Sequence, residues 1–122
     1  MVKGIFIENT PLVKIAVAWG RVVRTPLVIL DTGFTGDLQV TSKLAKELGL
    51  RVTGVIPTQV ANGQVVETAV AFGLAAIEGM VNRIQVLISE NIPVIGISFL
   101  SKFGYKAIVD CKNKTVILEK AG

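Results

Sequence analysis

Apolar residues recur along the chain in short runs rich in β-branched side chains, and turn-forming residues separate one run from the next. Gly4 to Ile7 is the first such run, closed by Asn9-Thr10-Pro11. Leu12 to Trp19 and Val22 to Leu30 read as two strands joined at Gly20-Arg21, and Leu38-Gln39-Val40 alternates as a third. The period then becomes helical. Leu44, Ala45 and Leu48 share one face, with Thr41 or Ser42 as the cap and Gly49 as the stop. Val52 to Val70 predicts a hairpin with its tip at Asn62-Gly63, the dipeptide favoured where both central residues need positive φ. Phe72 to Ile77 and Ile84 to Ile88 form two further strands joined around Glu78-Gly79. Phe99, Leu100 and Phe103 mark a short second helix ended by Gly104. Ala107 to Cys111 and Thr115 to Leu118 close the chain as a hairpin about Lys112-Asn113-Lys114. The pattern predicts an all-β class, mainly β with two short helices, in one domain spanning residues 1–122.

Composition narrows the options. At 122 residues the chain is long enough to bury a core. It is 51% apolar, with a mean hydropathy of +0.62, and so much apolar surface in a small domain points to an oligomer interface. No uncharged apolar stretch has the length of a membrane span, and Met1-Val2-Lys3-Gly4 lacks a signal-peptide layout; a soluble, cytoplasmic protein is expected. The formal charge of +4 is scattered, and Phe6, Phe72, Phe99 and Phe103 sit in core-like contexts, so no nucleic-acid surface is expected. Cys111 is the single cysteine, cannot form an intrachain disulfide, and is expected to pack as a small buried hydrophobe. The chain has no histidine, which removes the usual zinc and cysteine–histidine chemistries, and its nine acidic residues show no paired spacing; no metal or cofactor is expected.

One segment stands apart. Asp31-Thr32-Gly33 follows directly on the apolar run Leu27 to Leu30, so a carboxylate is carried on a tight turn at the end of a buried strand. A second apolar run ending in glycine, Pro93-Val94-Ile95-Gly96, echoes it from Pro26 onward, since a helix follows each. Hydrolysis without metal, cysteine or histidine needs a water activated by carboxylates, one ionised and one protonated. Asp31 is the only suitable aspartate, because Asp110 lies on a strand leading into a charged turn and reads as surface or structural.

Asp31-Thr32-Gly33-Phe34-Thr35-Gly36 resembles the active-site loop of retropepsin-like aspartic proteases, and the resemblance runs through most of the chain. Ala61-Asn62-Gly63-Gln64 resembles the glycine-tipped flap, and Val94-Ile95-Gly96 the apolar element that crosses behind the catalytic loop. The resemblance implies a closed acid-protease β-barrel with one lobe per chain, assembled as a homodimer that brings two copies of Asp31 together. It implies catalytic roles for Asp31, Thr32 and Gly33, and contact with a peptide or protein substrate for Phe34, Thr35, Ala61, Asn62, Gly63 and Ile95. Thr32 would hydrogen-bond across the dimer, Gly33 would turn its N–H toward the carboxylate, and Gly96 would let the second loop nest behind the first. Phe34 departs from the family pattern, which carries a small residue there, and its ring narrows or blocks a subsite. The implied activity is that of an aspartic endopeptidase. The alternative is a peptide- or protein-binding module of the same fold that does not cleave, and a small basic barrel that binds nucleic acid ranks behind both.

Overall fold

The computed structural model describes residues Met1 to Gly122. The first half carries strands β1 (Val2–Lys3), β2 (Ile5–Ile7), β3 (Thr10–Lys14), β4 (Ala16–Trp19), β5 (Val22–Arg24), β6 (Leu27–Leu30) and β7 (Leu38–Val40). Helix α1 (Ser42–Leu48) follows, then the long strands β8 (Val52–Gln59), β9 (Val65–Ile77) and β10 (Met80–Ile88). The chain ends with β11 (Val94–Ile95), α2 (Ile97–Phe103), β12 (Tyr105–Asp110) and β13 (Thr115–Lys120). A small sheet has the order β1-β13-β12, and a large one the order β2-β3-β6-β11-β7-β10-β9-β4-β5, with β8 paired on β9. The large sheet curls into a half-barrel, the mainly β architecture with two short helices expected from the sequence.

Local chemistry ends the helices as expected. The Thr41 Oγ1 accepts the Leu44 N–H at 3.1 Å, so Thr41 rather than Ser42 is the cap of α1. Gly49 and Gly104 close α1 and α2 at φ near 70°, a left-handed conformation that glycine adopts without strain. Val13, Val17, Val28, Leu38, Val40, Ile84, Val86, Ile95 and Phe99 are fully buried in one core shared by the half-barrel and both helices. Each such side chain contributes about 1.5–3 kcal/mol on leaving water.

Four expectations change, the first being that the strand expected over Phe72 to Ile77 is continuous with the second arm of the hairpin as β9. The two strands read as Leu12 to Trp19 and Val22 to Leu30 are each broken, at Ile15 and at Thr25-Pro26. There the hairpin bends from one part of the sheet to another: β3 pairs with β6, whereas β4 pairs with β5 and β9. Pro26 has no N–H to continue the ladder, and its carbonyl accepts from Ile15 N–H at the corner. The paired positive φ values expected at Asn62-Gly63 occur instead at Glu78 and Gly79, the two residues between the paired Ile77 and Met80. Cys111 is exposed, because β12 ends at Asp110 and the cysteine falls in the turn. Asp110 caps that turn by accepting Asn113 N–H at 3.0 Å and the Asn113 amide at 2.8 Å, which holds its carboxyl below the usual range.

No helix is long and apolar enough to cross a membrane.

Candidate active site

Strands β6 and β7 both pair with the two-residue β11, on opposite sides of it. The connection between them, Asp31 to Asp37, must therefore pass across the end of β11. Ile29 and Leu30 run parallel to Val94 and Ile95, so the two echoing segments of the sequence lie side by side.

The connection is stitched to the segment after β11 by backbone bonds. Asp31 N–H donates to Ile95 O at 3.1 Å and Gly96 N–H to Asp37 O at 3.2 Å. Ile97 N–H donates to Phe34 O at 2.9 Å and Ser98 N–H to Thr35 O at 3.3 Å, so the loop's carbonyls satisfy the first N–H groups of α2. The approach is close enough to require glycine at position 96. A Cβ there would lie 2.2 Å from Phe34 O and 2.7 Å from Gly36 O.

Within the loop, Asp31 O accepts Phe34 N–H at 3.1 Å, and Asp31 Oδ1 accepts Gly33 N–H at 2.8 Å. The carboxylate is thus oriented by its own turn, with Gly33 presenting its N–H as expected. Asp31, Thr32 and Gly33 are all exposed, so one chain alone does not bury this carboxylate. Thr32 makes no hydrogen bond within the chain.

Two cavities flank the loop beneath the β8–β9 hairpin. One, of about 280 Å³, is lined by Asp31, Gly33, Phe34, Gln39, Val94 and Asn91 below, and by Thr58, Gln59, Val60 and Ala61 above. The other, of about 400 Å³, extends past Gly33, Phe34, Thr35 and Gly36 to Gln85 and Leu87 under the hairpin stem. Phe34 borders both. Its ring lies on Gly36, whose missing Cβ would come within 2.6 Å of the ring.

The hairpin tip is a three-residue loop. Val60 N–H bonds to Gln64 O at 2.9 Å and Gly63 N–H to Val60 O at 2.9 Å, with Gly63 at φ 85° and Asn62 not left-handed. The Asn62 side chain stays within the tip, accepting Gln64 N–H at 2.9 Å. Of the residues expected to touch substrate, Phe34, Thr35 and Ala61 line the cavities, while Asn62 and Gly63 project beyond them at the exposed tip. Ile95 does not reach the cleft: it is fully buried in the core, and strand alternation turns its neighbour Val94 to the cavity instead.

The residue that sequence reasoning missed is Asp37, the one buried charged side chain, 4% exposed. Its Oδ2 accepts Lys102 Nζ at 2.6 Å from α2 and Gln85 N–H at 2.8 Å from β10. Burial opposes its ionisation, but Lys102, Ser98 and the Gln85 amide outweigh that and hold its carboxyl below the usual range. Asp37 thereby ties the far end of the loop to β10 and, through a side chain as well as the backbone, to α2. Gly36-Asp37 reads as ordinary turn chemistry in sequence, and its one signal was a carboxylate standing next to the apolar Leu38.

No protein-family model and no curated protein matches the sequence. Solved structures do match. The EIAV protease, solved in complex with the inhibitor HBY-793, superposes with a TM-score of 0.69 at 19% identity, over 84% of this chain and 96% of that one. A retropepsin-like aspartic protease from Rickettsia conorii superposes with a TM-score of 0.69 at 18% identity, over the whole of this chain and 91% of that one. With a half-barrel floored by the crossing of β6, β7 and β11 and roofed by a β-hairpin, the chain has the fold of the retropepsin-like aspartic proteases.

Proposed function

We propose that the chain is an aspartic endopeptidase, a single cytoplasmic domain active as a homodimer. One observation carries the reading: Asp31 stands oriented and exposed at the floor of a roofed cleft, and no other carboxylate lines either cavity. Two copies of the loop facing each other across a twofold axis supply the missing carboxylate. Two carboxylates held in contact share one proton, which leaves one ionised and one protonated.

The chemistry then follows. The ionised carboxylate takes a proton from the bound water as its oxygen attacks the scissile carbonyl carbon, and the protonated one donates to the carbonyl oxygen. Collapse of the tetrahedral diol breaks the C–N bond and passes a proton to the leaving amine. Gly33 N–H holds one Asp31 oxygen in place throughout, Thr32 braces the two loops across the dimer, and the hairpin tip with Asn62 and Gly63 closes over the peptide to exclude water. The chain's exposed apolar residues, among them Ile5, Ile7, Leu27 and Ile92, suit a subunit contact or a substrate.

The test is cleavage of a diverse peptide library from about pH 4 to pH 7, with wild type beside Asp31→Asn. Wild-type cleavage abolished by the substitution supports the reading. Equal cleavage by both, or loss of activity on chelation, contradicts it. Peptide binding without turnover would point to the non-cleaving module.

A further inference from the structure

We infer that two copies of this chain join edge to edge along β12, antiparallel about a twofold axis at Ile108, and merge two three-stranded sheets into one of six. The inference rests on the reading of the chain as a homodimer and names the strand at which the subunits meet. The small sheet has the order β1-β13-β12, so β12 pairs with β13 on one side and with no strand on the other. One bond shows which groups face outward. Ala121 N–H donates to Gly104 O at 2.9 Å in the register of the β12–β13 ladder, and alternation then assigns the backbone groups of Lys106, Ile108 and Asp110 to β13. Tyr105, Ala107 and Val109 turn their N–H and C=O groups to the open edge, where no turn, cap or loop of the chain bonds to them. The edge is six residues long, has no proline and no bulge, and carries Ile108 and Val109 at 45% and 40% exposure. An open edge of that kind is a template for another strand unless something blunts it.

The side chains identify the incoming strand as a second copy. Lys106, Ile108 and Asp110 share one face of β12. About an axis at Ile108, that residue faces its own copy, and Lys106 faces the partner's Asp110 at both ends of the pairing. Opposite charges directly across a strand pair stabilise it, and like charges destabilise it. Moving the axis one residue sets Lys106 against the partner's Ile108, or Ile108 against the partner's Asp110. Moving it two sets lysine against lysine or aspartate against aspartate. Only the axis at Ile108 satisfies every position, and self-complementarity of this kind is what a twofold contact requires. Both charges are in place for it. Lys106 is 58% exposed, bound only to Glu119 at 3.1 Å, and Asp110 is kept ionised by its bonds to Asn113. Ile108 lies in one row with Ile117 and Lys3, so the joined sheet has an apolar centre and charged ends. The edge is also continuous with the Asp31 loop. Ile97, bonded to Phe34 O, opens α2, a helix of about 10 Å that leads through Gly104 straight into β12.

The experiment measures self-association by sedimentation over a concentration series and locates the contact by cross-linking. Wild type is expected to dimerise. Ile108→Lys sets two like charges on the axis at a side chain exposed in the single chain, and should weaken the dimer by at least about tenfold. Ile108→Cys in a Cys111→Ser background should give a cross-linked dimer under mild oxidation. Facing residues that exchange no backbone bond have Cα atoms about 4.5 Å apart, within disulfide reach. Lys106→Cys in the same background should not cross-link, because its two copies lie four residues apart along the paired strands. Should Ile108→Lys fail to fold, the comparison of the two cysteine variants decides alone. A wild type that stays monomeric throughout the series, a dimer as tight with Ile108→Lys, or cross-linking no faster at 108 than at 106 overturns the inference. If 108 cross-links while peptide cleavage is absent or indifferent to Asp31→Asn, the peptidase reading fails and the interface stands. If cleavage depends on Asp31 while 108 does not cross-link, the interface fails and the peptidase stands.

Discussion

Lys102→Met removes the only cation that meets the buried Asp37 and should destabilise the fold in a pH-dependent way. Asp37 is 4% exposed, and the lysine side chain is 42% exposed. A charge-assisted hydrogen bond contributes about 1.5–3 kcal/mol, discounted here because the ammonium is half in water. Removing one partner of a buried pair adds the penalty of the stranded charge, up to about 3–5 kcal/mol in full burial. Gln85 N–H remains to hold part of that charge. We therefore expect a loss of about 2–3 kcal/mol at pH 7. In wild type the Asp37 pKa is depressed, so its contribution is complete above the unfolded carboxyl pKa and fades only as pH falls through the lower folded value. Without Lys102, burial still opposes ionisation and less opposes burial, so the folded pKa rises from its wild-type position and the deficit should shrink as pH falls toward about 4. Adding Asp37→Asn keeps an acceptor for Gln85 N–H, removes the stranded charge, and should restore most of the loss. Denaturant unfolding of wild type and the two variants at both pH values measures this. A deficit below about 0.5 kcal/mol, an equal deficit at both pH values, or a double variant no better than the single one refutes the reasoning.

Gly96→Ala forces a Cβ to within 2.2 Å of a backbone oxygen that cannot move without displacing the Asp31 loop. A loss of about 3 kcal/mol or more, or failure to fold, is expected by chemical denaturation. Thr41→Ala removes the cap of α1 and should lower stability by about 1 kcal/mol. Cys111 lies exposed in a turn, and a thiol reagent should label it fully in the native protein without denaturant.

Where local chemistry decides, the sequence was legible. Gly49 and Gly104 stop their helices because left-handed residues close helix ends wherever they stand, and the Asp31 turn and the roofing hairpin follow from turn residues between apolar runs. Where distant partners decide, it was not. The breaks at Ile15 and Pro26 depend on which strands the hairpin meets after its bend. That Val94 lines the cavity while Ile95 is buried depends on which face of β11 meets the core, and two residues in sequence do not show which face that is. Asn62-Gly63 did not form the expected two-residue turn because hairpin register, set by the flanking pairs, chose a three-residue loop there. Asp37 was missed because its cation lies 65 residues away, on a helix face that only the fold brings to it.

The central claim is a catalytic pair with one Asp31 from each subunit, and subunit mixing tests it most directly. Wild type is mixed with increasing Asp31→Asn at constant total protein, subunits are allowed to exchange, and peptide cleavage is followed. If both carboxylates are required, activity falls with the square of the wild-type fraction, because every mixed dimer is dead. A linear fall means that each chain carries a complete site of its own, and the shared pair is contradicted.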